Sequence, residues 1–269
     1  MKLSELDQYE AVASEAARDA GKLLMDRFRG HLNVSHKGIT NIVTDADLAA
    51  EKLIVSRLLE AFPTHNVLAE ENHFDAKGGS HVWIIDPLDG TTNYAHGLPF
   101  FSVSIGLEIE GEIVFGAIYG PILDELYIAR RGQGAYRNGS AIHVSKIASL
   151  NDSLLATGFP YDIRSGRNTN LEYFNEFVMR AQAIRRMGSA ALDLAYLASG
   201  HFDGFWEVML QPWDCAAGTL LIREAGGFVT NFQGEPVSIY EREFLASNGL
   251  IHKDMLAILK KILALKDRP

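Results

Sequence analysis

One cysteine, Cys215, stands in 269 residues. An intramolecular disulfide is thereby excluded, and a chain so poor in thiols suits a reducing compartment. Lying beside Ala216 and Ala217, Cys215 reads as helix core and not as a nucleophile. No apolar run approaches the roughly 20 residues of a membrane span. The N-terminus, MKLSELDQYEAVASEAARDAGKLL, carries a charge every few residues, so it reads as an amphipathic helix and not as a secretory leader. Positive charge is also scarce: 25 Lys and Arg face 34 Asp and Glu, for a net charge of −9. Nucleic acid and anionic membrane are disfavoured as principal ligands. These absences together point to the cytoplasm. Motifs are missing too. There is no GxxxxGK[ST] phosphate loop and no HExxH pair, and GQGAYRNGS lacks the strand–helix frame of a dinucleotide loop, so it reads as a hairpin turn.

What is present is an ordinary globular composition, 47% hydrophobic and 22% charged. The length allows one large core or two coupled subdomains. Helical spacing of Leu6, Tyr9, Ala13, Ala16, Ala17, Ala20, Leu23, Leu24 and Phe28 predicts a first helix, capped at Ser4 and ended by Gly30. HLNVSHKGITNIV reads as strand and turn. A second helix is expected from Thr44, with Leu48, Leu53, Ile54, Leu58, Leu59 and Phe62 on its apolar face. HNVLAE and HVWIID read as short buried strands ending in acid. From Phe101 to Arg130 strands follow one another, with a hairpin at IEGE. Beyond residue 150, strands and helices alternate, with helices expected near 168–181, over SAALDLAYLASG, over WDCAAGTLLIREAGG and from about Asp254. The chain is expected to form one body of two halves, 1–145 as α+β and 146–269 as α/β.

Acids mark the ends of these elements. Asp86 and Asp89 lie in WIIDPLDGTTNYAHG, Glu70 and Glu71 close NVLAE, and Asp214 stands in QPWDCAAG. A single Asp at such a place is commonly a helix cap, and Asp214 or Glu71 alone fits that bland role or a solvated surface. Two acids in DPLD exceed what one cap requires. If these carboxylates meet at one sheet edge, where α/β ligands usually bind, only cations make the meeting tolerable. An oxygen-only donor set favours Mg²⁺ over Zn²⁺. Thr44 and Asp47 in VTDADLA fit a capping box, and a rigid helix start suits an acid that orients a water. Gly90, Thr91 and Thr92 could present backbone amides to a phosphate. An aspartyl-phosphate design on VTDADLA is the covalent alternative, but the motif opens a helix and does not end a long strand. Arg185 and Arg186 read as a solvated helix entry or as a contact for a partner or anion.

WIIDPLDGTTNYAHGLPFFSVSIGL and PWDCAAGTLLIREAGG resemble the two signatures of the inositol monophosphatase family, and the resemblance spans nearly the whole chain. RRMGSAALDLAYLASGHFDGFWE is similar to its bacterial branch. The resemblance implies a layered α-β-α-β-α sandwich of the inositol monophosphatase and fructose-1,6-bisphosphatase type, usually a homodimer. It also implies lithium-sensitive, Mg²⁺-dependent hydrolysis of a phosphate monoester by water, with inositol 1-phosphate the leading substrate and fructose 1,6-bisphosphate or another sugar phosphate the alternative. Two or three Mg²⁺ ions are implied. Glu70, Asp86 and the Leu88 carbonyl would hold the first, Asp86, Asp89 and Asp214 the second, and Glu70 would support a weaker third. Thr91 and Asp47 would orient the attacking water, Gly90 and Thr91 would meet the phosphate, and Gly188, Ser189, Ala190, Glu207 and Asp214 would line the alcohol side. Lys37 falls near a family lysine. Some bacterial relatives serve transcription and ribosomal RNA maturation, which implies a protein partner as a further possibility.

Overall fold

A computed structural model describes residues 3–72, 79–164 and 169–266. The chain runs through α1 (Leu3–Arg27), the hairpin β1 (Val34–His36) and β2 (Ile42–Thr44), α2 (Asp45–Ala61), β3 (Asn66–Ala69), β4 (His81–Asp89) and α3 (Thr91–Ala95). An antiparallel run follows: β5 (Ser102–Ile109), β6 (Glu112–Gly120), β7 (Glu125–Arg130), β8 (Ala135–Arg137) and β9 (Ser140–Ala141). The remainder is β10 (Leu154–Thr157), α4 (Leu171–Val178), β11 (Ala183–Arg185), α5 (Ala190–Ala198), β12 (Gly204–Val208), α6 (Pro212–Glu224), β13 (Phe228–Thr230), β14 (Glu243–Ser247) and α7 (His252–Lys266).

Two main sheets result. The first has the order β3-β4-β5-β6-β7-β8-β9, parallel only at β3–β4. The second has the order β11-β10-β12-β14-β13, with β10 parallel to both of its neighbours. Strand periodicity decides which residues face which layer. Trp83 and Ile85 of β4, with Val103, Ile105 and Leu107 of β5, join α1 and α2 in one apolar layer. Ile84 and Ile118 face the other way, toward α5, α6 and the inner side of the second sheet. The outer side of that sheet buries Leu155, Trp206 and Leu245 with α4 and α7. The order is α-β-α-β-α, as the family resemblance implies.

Local expectations met physical limits in several places. α1 already runs at Leu3, so Ser4 lies inside its first turn. The expected face of α2 is rotated: Leu48 is exposed, and the buried stripe is Ala46, Asp47, Ala50, Glu51, Ile54, Val55 and Leu58. Two acids lie on the inner face, which hydrophobic periodicity alone does not predict. The helix expected near 168–181 spans only Leu171–Val178, and part of its predicted start lies outside the described residues. Arg185 ends strand β11 and does not enter a helix. β14 was not foreseen, because FLAS is short and lacks alternation.

Helix α6 lies unusually close to the first sheet because glycines clear its path. An added Cβ at Gly116 would sit 2.9 Å from the Ala217 Cα and carbonyl oxygen, and one at Gly106 would sit 3.0 Å from the Ala216 Cβ. This close approach sets the depth at which Asp214, in the first turn of α6, enters the molecule. Gly116→Ala is expected to destabilise the fold by about 1–3 kcal/mol through overpacking, read as a lower denaturant midpoint at unchanged slope.

His252 starts α7 and is buried, held between the Thr230 and Ser247 hydroxyls at 3.0 and 2.9 Å. Burial lowers its pKa from 6.5 to about 4, and a helix N-terminus also disfavours positive charge. Below pH 6.5 the unfolded chain therefore takes up a proton that the folded chain refuses. Stability from this group is complete above pH 6.5 and is lost as pH falls toward 4. Between pH 7 and 4.5 the wild type should lose about 2–3 kcal/mol more than His252→Gln, measured by urea unfolding at each pH.

Candidate active site

The parallel strands β3 and β4 end side by side, and their C-terminal ends carry the acids. Glu70 follows Ala69 directly, its amide donating to the Ile85 carbonyl at 3.2 Å. In β4 the register slips between Asp86 and Asp89, and Pro87 and Leu88 between them leave the ladder. Asp86 Oδ1 accepts from its own Leu88 amide at 3.0 Å, and Asp214 Oδ2 accepts from Gln211 N at 2.7 Å, the capping box of α6. All four acids line one cavity of about 370 Å³, with Lys37, Leu88, Gly90, Thr91 and Glu207.

Asp47 and Thr91 form the firmest polar unit. Asp47 is fully buried in α2. Its Oδ2 accepts from Thr44 N at 2.8 Å and Thr44 Oγ1 at 2.5 Å, while Oδ1 accepts from Thr91 Oγ1 at 2.9 Å. The Thr91 hydroxyl also lies 3.1 Å from the Leu88 carbonyl. Thr44 thus caps the helix and orients the acid at once, as VTDADLA suggests. Gly90 has φ of +99°, and a side chain there would press on the Phe100 and Gly188 carbonyls at 3.1 and 3.2 Å. Only glycine suits that approach.

Asp89 crosses from the first sheet to α5. Its Oδ2 accepts from Ser189 Oγ at 2.5 Å and Ala191 N at 2.7 Å, and its Oδ1 lies 3.3 Å from Ala190 N. Gly188, Ser189 and Ala190 are placed by this contact, and they line a side chamber with Glu207. Asn93 strengthens the junction by donating to the Phe100 and Met187 carbonyls, both at 2.8 Å.

Electrostatics set the character of the site. Burial raises Asp86 well above the usual carboxylate range, and repulsion from Glu70, Asp89 and Asp214 adds to this. Asp214 is raised well above it by burial and then by Asp89. Asp89 is pushed up to about 6 by burial, against the pull of its bonds to Ser189 and Ala191. Glu207 is pushed up to about 8, again by burial first. The cation at hand is Lys37, 3.0 Å from Glu70 and 2.6 Å from Glu71. Burial works to lower the Lys37 pKa, but the two glutamates outweigh it and the net shift is upward. Glu71 is thus a buried ion-pair partner and not a solvated acid. Among the described residues Asp86, Asp89 and Asp214 make no ion pair.

This donor set fits a hard divalent cation in kind: carboxylate and carbonyl oxygens only, with excess negative charge unanswered. Its present arrangement is not a closed cage. Among the described residues no three Asp, Glu, His or Cys side chains gather around one point, because each carboxyl is turned to a donor of the chain. Asp86 and Asp214 each spend one oxygen on these bonds, and Glu70 is drawn to Lys37.

Some contributors were not foreseen. Glu51, fully buried, accepts from Glu71 N at 2.8 Å and Asn72 Nδ2 at 2.7 Å, holding the turn that carries Glu70. Its spacing four residues after Asp47, on one helix face, was the available signal. Phe159, Tyr161, Met209 and Trp213 add an apolar rim to the cavity. The aromatic GFPYD after a strand end was the hint for the first two. No helix among the described residues is long and apolar enough to cross a membrane.

Comparison with known proteins agrees with this architecture. The chain is similar to an inositol-1-monophosphatase of Mesorhizobium japonicum, 43% identical over 94% of this chain and 96% of the relative. It is also similar to the Nus factor SuhB of Pseudomonas aeruginosa, 41% identical over 93% and 94% of the two chains. Among solved structures, the extragenic suppressor protein suhB of Bartonella henselae superposes with a TM-score of 0.90 at 44% identity, covering 94% of this chain and 98% of that one. The family model described as "Inositol monophosphatase family" matches residues 5–264. By fold, motifs and relatives together, the chain belongs to the inositol monophosphatase family of phosphatases.

Proposed function

We propose that the chain is a cytoplasmic, Mg²⁺-dependent phosphomonoesterase, acting on inositol 1-phosphate or a similar polyol phosphate and releasing the alcohol and inorganic phosphate. The observation that carries this reading is charge. Glu70, Asp86, Asp89 and Asp214 line one cavity, and among the described residues Lys37 alone of the ion-paired cations answers them there. Glu70, Asp86 and the Leu88 carbonyl would hold one ion, and Asp86, Asp89 and Asp214 a second. A third would lean on Glu70, which then exchanges Lys37 for metal. Bound Mg²⁺ supplies Lewis acidity, which makes water a better nucleophile near neutral pH and offsets the charge of the monoester.

The protein's own groups then position and deprotonate. Thr91 donates its hydroxyl proton to Asp47, so its lone pairs are free to accept from a water. Burial raises Asp47, with the bonds from Thr44 pulling against it, so it is a stronger base than a solvated aspartate. The water oxygen bonds to phosphorus in line as the bond to the alcohol oxygen breaks. Its proton passes through Thr91 to Asp47, and a second water, steered by Asp214, protonates the leaving oxygen. Gly90 and Thr91 meet the phosphate, while Gly188, Ser189, Ala190 and Glu207 face the alcohol. No covalent phosphoenzyme is required. Dimerisation is part of this reading.

Relatives named Nus factor SuhB favour an added role: docking to a protein of the transcription machinery through surface that the cavity does not use. A metal-site variant that still co-purifies with RNA polymerase would separate the two roles. Loss of hydrolysis and of association together would count against independent docking.

In a panel of phosphate monoesters, Mg²⁺ is expected to support release of phosphate from inositol 1-phosphate and chelator to abolish it. Asp89→Asn should keep its circular dichroism yet lose on the order of 100-fold in kcat. Near-normal turnover in that variant would refute the assignment. Saturating Mg²⁺ should raise the wild-type melting temperature by about 5 °C. Asp86→Asn should melt no lower than wild type in chelator, having lost a buried repulsive charge, and should show no rise with metal.

A further inference from the structure

A narrower chamber of about 110 Å³ lies between α5 and the end of β12, bordered by Thr157, Gly158, Ser189, Asp193 and Glu207, with the exposed Arg186 at its edge. Asp193 projects from the first turn of α5 and is 2% exposed. Its Oδ1 is buried and accepts no hydrogen bond among the described residues. Leaving a buried acceptor unmade costs the full desolvation of that group, so a purely structural acid is normally partnered. Two other buried acids of the chain obey that rule. Asp203 accepts from Ser145 Oγ at 2.5 Å and Leu154 N at 2.7 Å. Glu51 accepts two bonds at the 70–72 turn. Arg186 is near enough to ease the charge on Asp193, but forms no ion pair with it.

The opposite wall is shaped for a second carboxyl. A Cβ at residue 158 would overlap both carboxylate oxygens of Glu207, so that side chain rests against bare backbone. Glu207 is the largest source of repulsion on Asp193. Two acids, one from β12 and one from α5, therefore close on the same small space beside the substrate cavity. Burial raises both, so near neutral pH they suit alcohol hydroxyls, which need acceptors and donors, better than an ammonium.

We propose that Asp193 is a substrate-binding residue: with Glu207 it forms a hydroxyl-binding chamber, in which the Asp193 carboxyl turns about its soft terminal torsion so that its unpartnered oxygen accepts a hydrogen bond from a hydroxyl remote from the ester. This rests on the phosphomonoester reading and narrows it to polyhydroxylated alcohols large enough to reach past Glu207. The unmade bond of the free protein is completed by substrate, which accounts for a buried polar atom that is otherwise without a partner.

The test uses calorimetric binding with Mg²⁺ present, in an Asp47→Asn host chosen to hold the ester without consuming it. Inositol 1-phosphate, glycerol 2-phosphate and ethanolamine phosphate are the probes. Adding Asp193→Ala should weaken inositol 1-phosphate by about tenfold or more and leave glycerol 2-phosphate within about twofold, the loss of one good hydrogen bond. Asp193→Asn keeps an acceptor and should retain most of the affinity, and alone in the wild-type background it should melt above the wild type. Equal loss for both esters, loss for neither, or no measurable binding of inositol 1-phosphate would overturn the proposal. So would selective loss of ethanolamine phosphate, which would mark a cation site, or a lowered melting temperature in Asp193→Asn. Hydrolysis by the wild type is scored separately: its absence ends the phosphomonoesterase reading, while the binding data still decide the role of Asp193.

Discussion

Asp89 is the contact on which the site depends. It grows from the end of β4 in the first sheet and accepts bonds from the start of α5, which packs beneath the second. The cavity is a seam, and its two walls are set relative to each other by one carboxyl and by Asn93 a few residues on. Acids from distant parts of the chain can be brought together only where the backbone at each end is fixed. Here the fixing is done by the elements themselves: a parallel strand pair, a register slip in β4, and two helices whose capping boxes include Asp47 and Asp214.

That arrangement works against stability. Asp86 and Asp214 are raised far above their usual range chiefly because burial disfavours their charge, and each repels the others. Backbone donors offset part of this: Leu88 for Asp86, Gln211 for Asp214, Ala191 for Asp89. Donors shared with the fold hold the carboxyls apart while Lys37 occupies Glu70. On the proposed reading a divalent cation would compete with these local partners, which would link affinity for metal to this geometry. A site with ideally converged carboxylates would be better organised for metal but worse for folding, since like charges would meet before anything neutralised them.

Much of this was legible from residues alone because the motifs are local. DPLDGTT, PWD and VTDAD each fold into one turn or one helix start, where capping rules and strand ends leave few choices. Thr44 and Asp47 form the capping box their spacing suggests. What stayed hidden was set by tertiary contact. Leu48 obeys helical spacing yet faces solvent, while Asp47 and Glu51 face inward, because the inner side of α2 serves the site as well as the core. Asp193 hides inside an apolar helix pattern, SAALDLAYLASG, and its importance lies in the bond it does not make. Arg185 belongs to a three-residue strand that only the β10 edge makes possible.

The division of labour follows from the two sheets. Groups proposed for hydrolysis come from the ends of β3 and β4 and from α2, packed against the first apolar layer, where change is constrained by α1 and by Trp83 and Phe101. Groups proposed for the alcohol come from β10, α5 and β12, in the second sheet and the layer between. Asp89 and Asp214 belong to both sets. A substitution at Gly158, Asp193 or Glu207 can therefore reshape which alcohol fits without disturbing Asp47 and Thr91, whereas a change at Gly90 touches both, since Gly188 lies against it. In such a fold, substrate preference can drift while the hydrolytic end stays fixed.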